Sequence, residues 1–307
     1  MTVIKAQDIA YVRIAAPDVE VQAGFLRDFG LTDLGTHDGE RLFRTEAGAP
    51  FCYAVTQGET GLLGFGMWLP NEAALERLAQ AEGVPIQTHS GPGGGTFIRL
   101  TDPNGFEVDG FVGQPRNAVQ DGEAHAAWNE NGRVARIDRF RQVRKGPSRV
   151  LRLGHLAIVV NDFAESDHWY KTRFGMLTSD EFQIEPGKSI GSFLRTDRGT
   201  APADHHTLVI FQAGGAPRLR HLAFEVGGVD DLMAGREHLV QRGYTPHWGV
   251  GRHVLGSQIF DYWYDPFGRE HEHWTDGDQL TADTPAKLVT MEEVMGIQWG
   301  MQRPSAK

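Results

Sequence analysis

A single cysteine, Cys52, stands in 307 residues. One thiol cannot close an intrachain disulfide, and zinc sites built on paired cysteines are excluded. Cys52 is expected to be a small core residue. Long apolar runs are missing too. No stretch approaches the roughly 20 apolar residues needed to span a bilayer, and the start, MTVIKAQDIAYV, has neither a long apolar core nor a cleavage region of signal type. Positive charge is in deficit: Lys and Arg number 30 against 40 Asp and Glu, a formal net charge of −10. Such a chain repels a phosphate backbone, which argues against nucleic acid as a partner. The glycine-rich GPGGGT (91–96) has no following helix or Lys-Ser/Thr, so it reads as a flexible loop before a strand rather than a phosphate cradle. The basic RQVRKGPSRVLR (141–152) lacks an interleaved aromatic platform and reads as a solvated or subunit-facing segment. The expectation is a soluble, cytoplasmic protein without membrane or nucleic-acid partners, long enough for two cores.

What is present is repetition. IAYVRIAAPDVEVQAGFLRDFGL (9–31) and LGHLAIVVNDFAESDHWYKTRFGML (153–177) each read as an apolar strand, an Asp opening an amphipathic helix, and Phe-Gly closing it. Asp18 and Asp162 suit helix N-caps, and Gly30 and Gly175 suit C-caps. A second strand-helix pair follows in each half, at 61–84 and 218–244. Each half then ends in two strands around Asp-Pro-x-Gly, which fits a type I turn and a hairpin. The fold expected is α+β, with four copies of a βαβββ module. The divisions read as 1–113, a polar connector at 114–150, 151–275, and a tail at 276–307 with a short helical candidate at 291–296.

The duplication supplies an internal control. The second half carries His155 in its first strand, His221 in its second-unit strand and Glu272 in its last; the first half has Tyr11, Gly64 and Asp109 there. Glu272 lies seven residues after Asp265, as Asp109 lies seven after Asp102. One His in an apolar strand is usually a satisfied core residue. Two at comparable positions of equivalent strands, with a carboxylate on the matching third strand, give the facial ligand set of non-haem Fe(II). The final strand contains REHEHW (269–274). Its period of two puts Glu270, Glu272 and Trp274 on one face and His271 and His273 on the other. Periodicity leaves both carboxylates open as ligands. The two histidines are expected on the outer face, as surface residues or at a subunit contact.

These motifs, GHLAIVV, RLRHLAFEV and DPFGREHE, with the four modules, resemble a type I extradiol ring-cleaving dioxygenase of the vicinal oxygen chelate superfamily, over roughly 8–275. The resemblance implies two open-barrel domains, the N-terminal one an inactive duplicate. It implies Fe(II), with Mn(II) an occasional substitute, held by His155, His221 and Glu272. His206, His253 and Tyr262 fall fifteen residues before His221 and nineteen and ten before Glu272, at the family's spacings for catalytic residues. His205 is the adjacent alternative to His206 and would point the other way along the strand. The implied reaction opens a catechol ring beside the diol and incorporates both atoms of O2, giving a semialdehyde-type product. His206 would be the acid/base catalyst beside O2, with Tyr262 and His253 hydrogen-bonded to a catechol oxygen. Relatives of this kind are commonly tetramers or larger. The competing readings are a glyoxalase-type isomerase or lyase, and a metal-free binding or resistance protein. Arg218, Arg220, Trp248, Trp274 and the tail segment 297–300 are candidates to line or cap a pocket. Arginine would suit a carboxylate-bearing catechol and the aromatics a larger aryl group.

Overall fold

Each repeat opens with an apolar strand that leads into a helix. The first comprises β1 (Asp8–Ala16), α1 (Val19–Phe29), β2 (Thr32–His37), β3 (Glu40–Arg44) and β4 (Tyr53–Gln57). The second comprises β5 (Gly61–Trp68), α2 (Glu72–Glu82), the short β6 (Gln87–Thr88), β7 (Thr96–Thr101) and β8 (Glu107–Val112). The third has β9 (Val150–Val160), α3 (Phe163–Phe174), β10 (Leu177–Glu185), β11 (Lys188–Arg195), the short β12 (Ala203–Asp204) and β13 (Leu208–Gln212). The fourth has β14 (Arg218–Val226), α4 (Val229–Gln241), β15 (Pro246–His253), β16 (Ile259–Tyr264) and β17 (Glu270–Thr275). The tail adds β18 (Gln279–Leu280), β19 (Lys287–Thr290), α5 (Met291–Val294) and β20 (Ile297–Gly300). The computed structural model describes residues 2–115 and 128–301. The middle of the expected connector and the last residues of the tail lie outside the described residues. No helix among the described residues is long and apolar enough to cross a membrane.

Local chemistry accounts for the element ends. Asp18 accepts from the Val21 amide at 3.0 Å and Asp162 from the Glu165 amide at 2.8 Å, each satisfying an orphan donor of the first turn. Gly30 and Gly175 close their helices at φ 116° and 64°, in the left-handed region that disfavours a side chain. In both Asp-Pro-x-Gly turns the glycine amide donates to the aspartate carbonyl at 3.0 Å, and the flanking strands pair antiparallel.

The strands form two large curled sheets. One runs β2-β3-β4-β1-β5-β8-β7-β6, and the other runs β19-β10-β11-β13-β9-β14-β17-β16-β15-β20. In each, the first strands of the two modules lie side by side and antiparallel at the centre. The register makes the duplication concrete. His155 lies opposite Ala223, which lies opposite Glu272, which lies opposite Tyr262. Tyr11 lies opposite Gly66, which lies opposite Asp109, which lies opposite Arg99. The tail does more than follow the last module. β19 joins the β10 edge and β20 the β15 edge, so α5 is held between them across the mouth of the second sheet.

The core lies between the halves, which place helices on each other's outer sheet faces. Phe29 of α1 meets Phe224 of β14 with ring centroids 5.7 Å apart. Tyr170 of α3 stacks on Phe65 of β5 at 6.2 Å, and its hydroxyl donates to Asp102 at 2.8 Å. Cys52 is buried in this core. This packing overturns the expectation for His271 and His273: both are 0% exposed. They do lie on the face opposite Glu272, but that face is covered by the first half. His271 Nε2 is 3.1 Å from the Tyr53 hydroxyl, and His273 Nε2 donates to the Phe29 carbonyl at 2.8 Å. Burial pushes them down to about 4 and about 3, so both are neutral. Arg269 crosses the same seam, donating to the Ala15 carbonyl at 2.7 Å and to Gln22 at 2.8 Å. The basic 141–152 segment is likewise tied into the fold. Arg149 pairs with Glu46 at 2.5 Å and Arg152 with Asp204 at 2.6 Å, so neither is simply solvated.

Candidate metal centre

Two neighbouring central strands and the strand paired to the second carry the site. β9 supplies His155, β14 supplies His221, and β17 supplies Glu272. His155 Nε2 and His221 Nε2 are 3.2 Å apart, and they lie 3.3 and 3.5 Å from Glu272 Oε2. Three donors coordinating one ion at about 2.1 Å have mutual separations of about this size. Glu272 is 0% exposed. Neither of its carboxylate oxygens has a hydrogen-bond partner among the described residues. A buried carboxylate left without donors is costly, and a divalent cation at the convergence point satisfies it. Burial and the neighbouring His155 push His221 well below its usual value, which leaves a lone pair for a ligand bond. The donor set therefore fits a divalent metal.

Around these atoms is a cavity of about 150 Å³. His206 faces it, with its ring 4.1 Å from that of His155. His206 is held well below its usual value by burial and by the surrounding imidazoles. His253 Nε2 lies 3.1 Å from the Tyr262 hydroxyl and 3.9 Å from Glu272 Oε1. Burial moves the two in opposite senses: His253 goes down to about 4, and Tyr262 rises well above 10 with help from the Glu272 charge. Both are neutral near pH 7.

His155, His221, His206, His253 and Tyr262 line one cavity, Glu272 lies behind it against the His155 and His221 rings, and His205 points away. His205 still matters. Its Nδ1 lies 3.0 Å from His206 Nδ1 and its Nε2 lies 2.8 Å from Asp180 Oδ2, which fixes the orientation of the His206 ring. Asp180 carries no local signal in LTSDEFQIE, because its partner is twenty-five residues away. Among the candidate lining residues, Arg220 and Trp248 face the cavity. Arg218 turns outward to the Gly214 and Ala216 carbonyls. Trp274 packs behind His155 at 6.2 Å. The segment 297–300 forms an edge strand, and the tail residues that line the cavity are Met291, Val294 and Met295.

In the first half the equivalent site is filled. Asp109 accepts from the Tyr11 hydroxyl at 2.7 Å and from Arg99 through two bonds of 2.8 Å. Gly64 stands where the second half has His221. A Cβ built there would lie 2.1 Å from the Glu107 carbonyl oxygen, so no side chain fits.

Comparison with known proteins bears on the fold. Residues 152–272 match the sequence profile of the Glyoxalase/Bleomycin resistance protein/Dioxygenase superfamily. The matched segment runs from the start of β9 to Glu272, and the four modules define a vicinal oxygen chelate fold. The chain is 26% identical over 304 residues to metapyrocatechase 2 of Cupriavidus necator, covering 96% of this chain and 89% of the relative. Its fold is that of the 2,3-dioxygenase LapB of Pseudomonas sp. KL28, with a TM-score of 0.77, 17% identity and coverage of 95% and 99%. An equal TM-score, with 20% identity and coverage of 98% and 96%, relates it to the Mn(II)-bound glyoxalase of Novosphingobium aromaticivorans.

Proposed function

We propose that this protein is an extradiol dioxygenase that opens a catechol ring beside the diol and incorporates both atoms of O2. In this reading His155, His221 and Glu272 hold Fe(II), with Mn(II) acceptable to the same donors. The observation that carries it is the unsatisfied Glu272 carboxylate, which faces two imidazoles in a cavity that also holds His206, His253 and Tyr262. Fe(II) there supplies the electronic path between a catechol and dioxygen that their spin states otherwise deny.

The residues divide the remaining work. One carboxylate and two neutral imidazoles leave a divalent ion with a single net positive charge, which favours a catechol bound as its monoanion. Tyr262, kept protonated, and His253, kept neutral, share one proton between them. The pair positions and hydrogen-bonds a catechol oxygen, and so helps to set which oxygen keeps its proton. His206 is pinned at Nδ1 by His205, so its Nε2 is the atom left to accept and return a proton as the ring opens. The apolar remainder of the cavity excludes bulk water and strengthens each of these interactions.

The test is anaerobic loading with Fe(II) followed by aerobic assay with substituted catechols. Stoichiometric O2 uptake and a yellow ring-opened product are expected. Conversion of substrate without O2 uptake would support an isomerase or lyase instead, and binding without turnover or metal would support a sequestering protein. Assembly into a tetramer or larger belongs to the same proposal. It is supported by exposed apolar side chains in the connector, where Ile137 is 72% and Phe140 92% exposed. Light scattering on the purified protein reads it directly.

A further inference from the structure

We propose that the preferred substrate is a catechol with an apolar alkyl or aryl substituent, and that Glu270 sets this preference by neutralising Arg220. The inference rests on the catechol reading above and names its substrate class. The cavity has two unlike ends. One holds the metal-binding cluster. The other is walled by Phe182, Phe193, Phe211, Leu255, Met291 and Val294. Met291 and Val294 belong to α5, which is fixed by a complete capping box: Thr290 accepts from the Glu293 amide and Glu293 from the Thr290 amide. With β19 and β20 clamped to opposite sheet edges, the apolar wall is part of the fold.

Arg220 is the one Arg or Lys among the described residues lining this cavity. It reaches the cavity because the ladder is irregular between Leu219 and His221, so strict alternation does not turn it outward. Its guanidinium does not face the cavity unpaired. Arg220 Nη1 donates to Glu270 Oε1, and His247 Nε2 lies 3.4 Å from the same oxygen. Glu270 is itself buried. Glu270 therefore offsets the Arg220 charge. The charge left by the metal and Glu272 is balanced by the catechol oxygens. A carboxylate on the ring would meet no Arg or Lys among the described lining residues except Arg220, which Glu270 already holds, or would displace Glu270 and strand that charge instead. An alkyl or phenyl group would meet the aromatic and aliphatic wall.

The test is calorimetric binding under anaerobic conditions to the Fe(II)-loaded protein. The probes are catechol, 3-propylcatechol, 2,3-dihydroxybiphenyl and 3,4-dihydroxyphenylacetate. The propyl and phenyl compounds are expected to bind at least about tenfold more tightly than the carboxylate. Glu270→Gln should free Arg220 and improve the carboxylate relative to the phenyl compound by about tenfold or more. Phe211→Ala should cut the advantage of phenyl over unsubstituted catechol, and it decides the matter if Glu270→Gln does not retain iron. A wild-type protein that binds 3,4-dihydroxyphenylacetate as tightly as the phenyl compound overturns the proposal and leaves the dioxygenase reading standing. Failure of every catechol to bind overturns both.

Discussion

Asp109 and Glu272 occupy corresponding places in two copies of one sheet, and both are buried to 1% exposure or less. Their partners differ completely. Asp109 is saturated by protein donors, Tyr11 on one side and Arg99 on the other. Glu272 has Tyr262 where Arg99 would be and His155, its Nε2 3.3 Å from Oε2, where Tyr11 would be, and neither gives a carboxylate oxygen a hydrogen bond of ordinary geometry. The first half satisfies its carboxylate with its own side chains, while the second leaves a buried carboxylate that a cation would satisfy. Ala157 against Arg13 continues the contrast. The small Ala157 lines the second cavity beside His221, whereas Arg13 stands beside Gly64 and pairs with Glu107.

This contrast can be broken or sharpened in several ways. The largest effect is expected at His206. His206→Phe should lower kcat by about 10²–10⁴-fold while iron content stays unchanged. A wild-type rate in that variant would remove His206 from proton transfer. Next come the two carboxylates themselves. Asp109→Asn breaks a buried pair and should cost roughly 3 kcal/mol, a low figure for a buried pair because the Arg99 side chain keeps 30% of its surface in water. Glu272→Gln should do the opposite in metal-free protein. It removes an unsatisfied charge and should raise the melting temperature by several degrees, through roughly 1–3 kcal/mol. Thermal unfolding of both metal-free variants tests the pair, and equal signs would refute the contrast. Tyr53→Phe deletes the hydroxyl that meets His271 across the seam and should cost about 1 kcal/mol by denaturant unfolding, without changing metal content.

The smallest effect concerns acid. Arg41 holds Asp33 down at about 2, against 3.8 for the free group. A depressed carboxylate stabilises fully above the unfolded value, and its contribution fades as pH falls through the folded one. Asp33→Asn should therefore cost on the order of 1 kcal/mol at neutral pH. Its acid-unfolding curve should converge with that of the parent below about pH 2.

Much of the fold was legible because its signals are local. Asp18, Gly30, Asp162 and Gly175 mark helix ends through chemistry confined to one turn, and the repeat announces four modules. The relative placement of His155, His221 and Glu272 followed from comparing equivalent strands. What stayed hidden was long-range. The period of two assigned His271 and His273 to the face opposite Glu272, but nothing in REHEHW says that Phe29 and Tyr53 will cover that face. Arg220 was a candidate lining residue, but its pairing with Glu270 was hidden, and the break in strand pairing that turns it inward is invisible in alternation. Asp180 escaped because its role exists only through His205. The tail's α5 was expected, but its position over the cavity depends on two edge-strand pairings with no sequence signature of their own.

The most direct test is the metal content of anaerobically purified protein, measured per chain for the parent and for Glu272→Gln. The account predicts one divalent ion per parent chain and near-complete loss in the variant. An ion retained in Glu272→Gln, or two ions per parent chain, would contradict it.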